Sequence, residues 1–123
     1  MSNRKLAIEY LDVVFNQNDL GRAEGFWAGD MIQHNPQLPN GLDVLRGFIS
    51  SADSTLSYEP GLAMEDGDKV MVHGRYSGWN GKTMIVVDIF RIEDGKVVEH
   101  WDVMQEEVAA SDTPNGNPMF PAG

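Results

Sequence analysis

The sequence of residues 86–105, VVDIFRIEDGKVVEHWDVMQ, decides the fold of this chain. It predicts two β-strands joined by a tight turn, because β-branched and aromatic residues flank the Asp-Gly pair at positions 94–95 on both sides. Asp88 interrupts an apolar run in the first strand, whereas His100 and Asp102 lie two residues apart in the second. Because alternate residues of a strand share a face, the side chains of His100 and Asp102 should point in the same direction.

The length of the turn determines whether Asp88 lies on that same face. A two-residue turn at positions 94–95 would set Asp88 opposite Trp101. A three-residue loop at positions 93–95, made by a type I turn whose glycine is left-handed and forms a bulge, would set Asp88 opposite His100. The position of the Asp88 side chain therefore depends on the turn type.

The three-residue loop is the register that we favour. Type I turns accept Glu and Asp at their centre and favour Gly at the fourth position. This register also pairs Phe90 with Val98 and leaves Asp102 diagonal to Asp88. Two carboxyls and an imidazole would then lie among apolar side chains that include Met104. Carboxyls beside apolar walls have the perturbed proton affinities that acid–base catalysis uses.

Length and composition limit the kind of protein that this chain can be. At 123 residues it is long enough for one domain with a substantial core. Nineteen acidic residues against nine basic ones give a formal net charge of −10, which argues against a nucleic-acid or anionic-membrane partner. The absence of cysteine excludes disulfides and thiolate chemistry, and it predicts a cytoplasmic protein. The first residues do not resemble a signal peptide, and no apolar run approaches the length of a membrane span.

Three helices are predicted in the first half of the chain. Residues 3–16 carry an apolar stripe at helical spacing, with Ser2 or Asn3 as the N-cap. A shorter helix should begin at residue 19 or 20 and end at 26 or 27, and a third fits residues 42–52. Phe26 and Trp27 are expected in the core or in the wall of a pocket.

A short strand is predicted at 31–35, between the second and third helices, and should end at Pro36. From Leu56 onward the chain has the two-residue period of β-strands, and the strand at 56–64 is interrupted by Pro60, which indicates a bulge or an edge. A strand at 69–76 leads into the hairpin, and residues 106–123 form a tail without a regular pattern. We therefore predict an α+β domain at 1–105, with three helices on a strongly curved mixed or antiparallel sheet that encloses a pocket.

Four segments resemble a known family. They are YLDVVFN at 10–16, IQHNP at 32–36, VDIFR at 87–91 and DGKVVEHWDV at 94–103. Together they are similar to the SnoaL-like polyketide cyclases, which belong to the nuclear transport factor 2-like superfamily of cone-shaped folds. The resemblance extends from about residue 6 to residue 105, and it implies a cone-shaped domain with an internal pocket.

The resemblance also implies roles for individual residues. Asp102 matches the aspartate that acts as acid and base in the aldol closure of the polyketide cyclases. Asp88 stands where those cyclases have a histidine and where ketosteroid isomerases, distant members of the superfamily, have an aspartic acid. Tyr10 matches the tyrosine that partners this acid in the isomerases. Asn35 replaces the isomerases' general base, and because an amide cannot take a proton, the base here should be Asp102 or a histidine.

We therefore expect Asp102, Asp88 and His100 to be the catalytic residues. Asp102 would remove a proton next to a carbonyl, while a neutral Asp88 or His100 would stabilise the resulting enolate. His100 would orient Asp102 or relay its proton. The structural alternative for Asp88 is a core hydrogen bond to Tyr10 or His100.

The expected substrate-binding residues combine polar and apolar side chains: Asn35, His34, His73, Tyr10, Phe90 and Met104. On a regular strand His34 and Asn35 point in opposite directions, so only one can face the pocket, and the isomerase match favours Asn35. His73 is either a pocket residue or an ordinary core or solvated histidine.

The predicted function is that of a cofactor-free acid–base enzyme for a small, mostly apolar carbonyl compound. The reaction could be an aldol-type cyclisation, an isomerisation or a dehydration. The alternatives are a module of the same fold that binds a small ligand without chemistry, and a purely structural dimerisation domain. We expect no metal, because no pair of histidines has the helical i, i+4 spacing of a zinc site.

A homodimer is expected through the outer face of the sheet. In the favoured register several apolar side chains point away from the pocket: Val87, Ile89, Val97, Trp101 and Val103. The helices can cover only one face, so these residues would form an apolar patch larger than monomers usually expose. A second copy on a two-fold axis would cover the patch, and the tail residues Met119 and Phe120 offer a competing cover.

Overall fold

The computed structural model describes residues 1–51 and 55–121, and in it three helices cover a five-stranded sheet whose short first strand precedes the third helix. The helices are α1 (Asn3–Asp12), α2 (Leu20–Glu24) and α3 (Asp43–Ser50). Ser2 caps α1, because its Oγ accepts a hydrogen bond from the backbone N–H of Lys5 at 3.2 Å. A π-helical turn at Val13–Gln17 continues α1 to the predicted end of the first helix. Ala52, the predicted end of the third helix, lies outside the described residues.

The sheet is mixed, as predicted. Its strands are β1 (Ile32–Gln33), β2 (Ser57–Asp66), β3 (Lys69–Trp79), β4 (Lys82–Glu93) and β5 (Lys96–Glu106), in the spatial order β1-β5-β4-β3-β2. β1 runs parallel to β5, and the other neighbours are antiparallel. The pairing of β2 with β3 shifts between Pro60 and Ala63, which is the bulge that the proline predicted. No helix in the described part of the chain is both long and apolar enough to span a membrane.

The structure corrects the predicted register of the β4–β5 hairpin. Asp94 and Gly95 both have left-handed φ angles, 51° and 75°, so the loop contains two residues instead of three. Asp tolerates this conformation better than most residues do, and the twist of such a turn suits a hairpin. β5 also contains a β-bulge of one residue: Arg91 lies opposite Glu99, whereas the next residue of β4, Ile92, lies opposite Val97.

The extra residue, Val98, changes which side chains face each other. Asp88 lies opposite Asp102, and His100 lies opposite Phe90 instead of Asp88. The three polar residues still share one face, so their predicted grouping is correct although their predicted pairing is wrong. Val97, which was expected to point outward, is 1% exposed in the core, because the bulge reverses the alternation of side chains before it.

The core lies between the helices and the inner face of the sheet. Leu11 and Val14 from the helical layer pack with Val72, Val86 and Phe90 from the strands, and all five are buried. Trp27 belongs to the same cluster and Phe26 packs against it, as expected for core residues. The inner face is therefore apolar everywhere except around the polar residues near the end of β5.

The tail covers part of the outer face of the sheet. Glu107 forms a two-point ion pair with Arg75 of β3, with distances of 3.0 Å to Nε and 2.6 Å to Nη2. Phe120 is buried, and its ring lies 4.8 Å from the Arg75 guanidinium and 5.7 Å from the His73 ring. Gly61 leaves the necessary space, since a Cβ there would come within 2.7 Å of Phe120. The tail residues that were expected to compete for this face thus occupy its β2–β3 half.

Candidate active site

A cavity of about 90 Å³ lies between the helices and the inner face of the sheet. Its polar lining residues are Gln33, Asn35, Asp88, His100 and Asp102, with Tyr10 and Tyr76. The other lining side chains are apolar or aromatic: Leu11, Phe15, Met31, Leu38, Val44, Leu45, Phe48, Trp79, Phe90 and Met104. The polar groups therefore converge on a small and otherwise apolar space, which is the usual composition of a ligand site.

Asp88 is buried and is held by two hydrogen bonds. The hydroxyl of Tyr76 donates to its Oδ2 at 2.7 Å, and its Oδ1 lies 2.8 Å from Nε2 of His100. Only 2% of Asp88 is exposed, so a lone carboxylate without these partners would be very costly. The structural alternative that the sequence offered is half right, because the partner is His100 together with Tyr76 and not Tyr10.

Asp102 is held by the Asn35 side chain. Nδ2 of Asn35 donates to both carboxylate oxygens, at 3.0 Å and 2.8 Å. The orientation of this amide is fixed, because its Oδ1 accepts the backbone N–H of Gln37 at 2.8 Å. Desolvation raises the pKa of Asp102, and the Asp88 charge adds to this effect, while Asn35 and His100 oppose it. Asp102 is thus the carboxyl of this site whose pKa is raised by its burial.

The His100 ring lies between Gln33 on one side and the two carboxyls, Asp88 and Asp102, on the other. Its Nδ1 lies 2.6 Å from the side-chain oxygen of Gln33, and its Nε2 lies 3.7 Å from Asp102 in addition to the closer contact with Asp88. The ring stacks against Phe90 at 5.2 Å between centroids. His100 is 8% exposed, so its position is determined by these contacts.

Tyr10 lines the cavity, but its hydroxyl is hydrogen-bonded to Trp27 and not to Asp88. The indole N–H of Trp27 donates to this hydroxyl at 3.1 Å. The ring meets Phe90 edge to face, with centroids 5.5 Å apart. Burial raises the pKa of Tyr10, so its hydroxyl stays protonated. The tyrosine hydroxyl that bonds Asp88 is that of Tyr76 and not that of Tyr10, for which the isomerase resemblance implied a role as partner of the acid.

His34 and His73 lie outside the cavity, which corrects their predicted place. His34 follows β1 with its side chain on the outer face, where it bonds Glu99 at 2.6 Å and stacks on Trp101 at 4.7 Å. Arg91 and His34 together lower the pKa of Glu99. The alternation of strand residues explains this placement: Asn35 and Gln33 face inward, and His34 between them faces outward.

His73 lies outside the cavity for the same geometric reason. It pairs with Val87 across β3 and β4, between inward-facing residues such as Val72, and its ring packs against Phe120. Strand alternation therefore places it on the outer face, under the tail.

Two site residues were missed by the sequence analysis although a signal for them existed. Gln33 is two residues before Asn35, and Tyr76 is four residues after Val72, so simple alternation places both on the inner face. Trp79 could not have been found in this way, because the pairing of β3 with β4 shifts between Tyr76 and Trp79.

Asp88, His100 and Asp102 could together bind a metal ion. Each offers one ligand atom, and these atoms lie within 4.8 Å of one another. However, the Tyr76 hydroxyl and the Asn35 amide already point hydrogens at the same carboxylates. A cation would have to displace these donors, so the donor set fits a proton-transfer site better than a metal site.

Comparison with known proteins identifies the family and supports the fold. Residues 7–100 match the family model of the SnoaL-like domain, and no curated protein matches the chain significantly. A nuclear transport factor 2-like protein of unknown function from Cytophaga hutchinsonii is 16% identical, with 85% of this chain and 91% of that chain covered and a TM-score of 0.72. A candidate ketosteroid isomerase from Kribbella flavida is 23% identical, with coverages of 84% and 77% and a TM-score of 0.69. A candidate polyketide cyclase from Bacillus cereus is 18% identical, with coverages of 80% and 71% and a TM-score of 0.65.

Proposed function

Because the chain belongs to the SnoaL-like domain family and gathers Asp88, His100 and Asp102 around an apolar cavity, we propose that it is a cofactor-free acid–base enzyme acting on a small, mostly apolar carbonyl compound. The observation that carries this proposal is the pairing of two carboxyls in different environments. Asp102 accepts its hydrogen bonds from the Asn35 amide, whereas Asp88 lies 2.8 Å from Nε2 of His100, a group that can exchange a proton with it. One carboxyl is thus suited to take a proton and the other to supply one.

The proposed chemistry is proton abstraction next to a carbonyl. The Asp102 carboxylate takes a proton from the α-carbon, and the electron pair of the broken C–H bond moves into the carbonyl to form an enolate. As the enolate oxygen develops, the proton between Asp88 and His100 leaves that contact and is donated to the enolate oxygen instead. The enolate carbon then adds to a second carbonyl, whose oxygen takes the proton from Asp102, or it takes that proton back itself, and either step restores the carboxylate. The apolar lining strengthens these interactions by excluding water.

The size of the cavity limits the substrate. An engineered apolar cavity of roughly 150 Å³ binds benzene. The cavity here, about 90 Å³, is smaller, so the reacting part of the substrate should be a short chain or a single small ring. A larger molecule would have to extend past the side chains of Leu38, Phe48 and Trp79, which also line a neighbouring groove.

The first test is exchange of α-protons in D₂O, followed by ¹H NMR on a panel of small cyclic ketones and 1,3-diketones. We expect the protein to accelerate deuterium incorporation at the carbon next to the carbonyl, because this step needs only the base and the enolate donor. The rate should not change when EDTA is added or when Mg²⁺ or Zn²⁺ is supplied. Loss of activity with EDTA would contradict a cofactor-free mechanism, and an absence of exchange across the panel would count against the enzyme.

A small-ligand-binding module is the second candidate, and one contact favours it. Asn35 donates to both oxygens of Asp102, which occupies part of the capacity that a base needs to accept a proton. Such a module would bind the same ketones, as seen by changes in the NMR spectrum, without accelerating their exchange. The exchange experiment therefore distinguishes the two functions.

We also propose, from its cysteine-free sequence, that the protein is cytoplasmic.

We propose further that the protein is a homodimer. The tail covers only the β2–β3 half of the outer face. On the remaining half, Val103 is 71% exposed, and Ile32 is also exposed. Trp101 faces the same side and is only half-buried against His34. A second copy packed on this surface would remove these apolar groups from water.

Replacing Val103 by Glu is expected to dissociate the dimer. The substitution places a charge at the centre of the proposed interface, where it would lose its hydration without gaining a partner. Analytical ultracentrifugation at micromolar concentration should show a dimer for the unmodified protein and a monomer for the variant. Val44→Glu is the control for the oligomeric state, because Val44 is 47% exposed on α3, on the cavity side of the sheet, and should leave the dimer intact. A monomeric unmodified protein would refute the proposal.

A further inference from the structure

The orientation of the Gln33 side chain is determined by a backbone donor. Its Oε1 accepts the N–H of Asn35 at 3.1 Å. A backbone N–H can only donate, so the side-chain atom facing it must be the oxygen and not the nitrogen. The same oxygen lies 2.6 Å from Nδ1 of His100. Because an amide oxygen can only accept, Nδ1 of His100 must carry a hydrogen.

This assignment determines what the other ring nitrogen can do. A neutral imidazole with its hydrogen on Nδ1 has a lone pair on Nε2. Nε2 is 2.8 Å from Oδ1 of Asp88, so the proton of that contact comes from a protonated Asp88, or else the ring carries a second proton. In either state the Asp88–His100 pair holds one more proton than an ionised Asp88 beside a neutral ring.

We propose that Gln33 is a positioning residue that fixes the tautomer of His100 and thereby keeps an additional proton on the Asp88–His100 pair. Without Gln33, the neutral ring could carry its hydrogen on Nε2 and donate it to an ionised Asp88, which would make the pair negative. With Gln33, the pair is neutral overall, and Asp102 is the one net charge among these three residues. The pair can then supply the hydrogen bond that an enolate needs.

The surroundings of His100 support this role. The groups that titrate around its ring are Asp88 and Asp102, with Tyr76 behind Asp88. Phe90 covers one side of the ring, so the ring is buried among these contacts. Gln33 is the neutral acceptor in this set, and it can select a tautomer without adding a charge. The consequence for turnover rests on the proposed function, whereas the tautomer itself does not.

The test is ¹⁵N NMR of histidine-labelled protein without any substrate. His34 and His73 lie on the outer face, so His34→Gln and His73→Gln together leave His100 as the sole histidine. In this background we expect Nδ1 to have the shift of a protonated nitrogen at neutral pH. Gln33→Met removes the acceptor and should move the hydrogen to Nε2, whereas Gln33→Glu keeps an acceptor in place and should preserve protonated Nδ1. The inference would be overturned if Nδ1 is unprotonated in the His34→Gln, His73→Gln variant, or if Gln33→Met leaves the tautomer of His100 unchanged.

Exchange kinetics separate this inference from the proposed function. If the protein catalyses α-proton exchange, Gln33→Met should lower its rate by about tenfold or more, as expected when the group that fixes a catalytic imidazole tautomer is lost. Backbone ¹H–¹⁵N spectra show whether the variant is folded, and if it is not, Gln33→Glu still tests whether Nδ1 stays protonated. If the unmodified protein shows the expected tautomer but no exchange, the inference about Gln33 stands and the proposed enzyme fails.

Discussion

Asp102→Asn is expected to lower the rate of α-proton exchange by about 10²- to 10⁴-fold, the usual contribution of a positioned acid–base group. The amide has nearly the same shape as the carboxyl and can still accept a hydrogen bond from Asn35, but it cannot take a proton from carbon. The measurement is deuterium incorporation into whichever ketone of the panel the unmodified protein processes. Full activity in the variant would show that Asp102 is not the base.

The pH dependence of the unmodified protein provides a second part of the same test. Burial raises the pKa of Asp102, and a base must be ionised, so exchange should fall as the pH drops through this raised value. The acid limb of the rate profile should therefore lie above the pH range in which an exposed aspartate titrates. A limb at the ordinary aspartate value would contradict the assignment.

Stability should change in the opposite direction to activity. A carboxyl with a raised pKa in the folded state favours folding when it is protonated, and this contribution is lost as the pH rises through the folded-state pKa. Above its folded-state pKa the ionised Asp102 is thus a cost to the fold, and at such a pH Asp102→Asn should be at least as stable to urea as the unmodified protein. Asp66→Asn, at an exposed position in β2, is the control for loss of a charge and should change little.

The hairpin illustrates how far the sequence determines the site. The two-residue spacing of His100 and Asp102 was sufficient to place both on one face. The register was not predictable, because turn propensity allows two loop lengths at the Asp-Gly pair and the bulge at Val98 adds a further shift. What distinguishes these arrangements is the burial of Val97 in the core, a tertiary interaction that no local pattern contains.

The helical half and the overall architecture were predicted for a different reason. Apolar spacing defined the three helices to within a few residues, and the family resemblance supplied the cone-shaped arrangement that spacing alone could not. His34 and His73 were predicted at the pocket because histidine is a common catalytic residue, although the alternation of side chains along a strand places both on the outer face. His73 is on the outer face by the same rule that places Tyr76 on the inner face.

Two glycines of β3, Gly74 and Gly78, stand where a side chain would collide with a neighbouring part of the chain. At Gly74 an added Cβ would lie 2.2 Å from the hydroxyl of Tyr58, so the absence of a side chain lets the Tyr58 ring cross the strand. At Gly78 the obstacle is the backbone itself, because a Cβ would lie 2.2 Å from the carbonyl oxygen of Thr55. A tyrosine can move more easily than a main-chain carbonyl, so Gly78 should be the less replaceable of the two.

Gly78→Ala is therefore expected to destabilise the protein by about 2–5 kcal/mol, from the left-handed backbone and the steric overlap combined. Gly78 has φ of +81°, and its missing Cβ makes room for the chain that leads into β2. Gly81→Ala is the matched control: its φ is +77°, but nothing lies within 4 Å of its Cβ position, so only the backbone term of about 1–2 kcal/mol should appear. Urea unfolding followed by circular dichroism measures both. Equal losses in the two variants would show that the contact with Thr55 relaxes freely and that Gly78 is needed only for its backbone conformation.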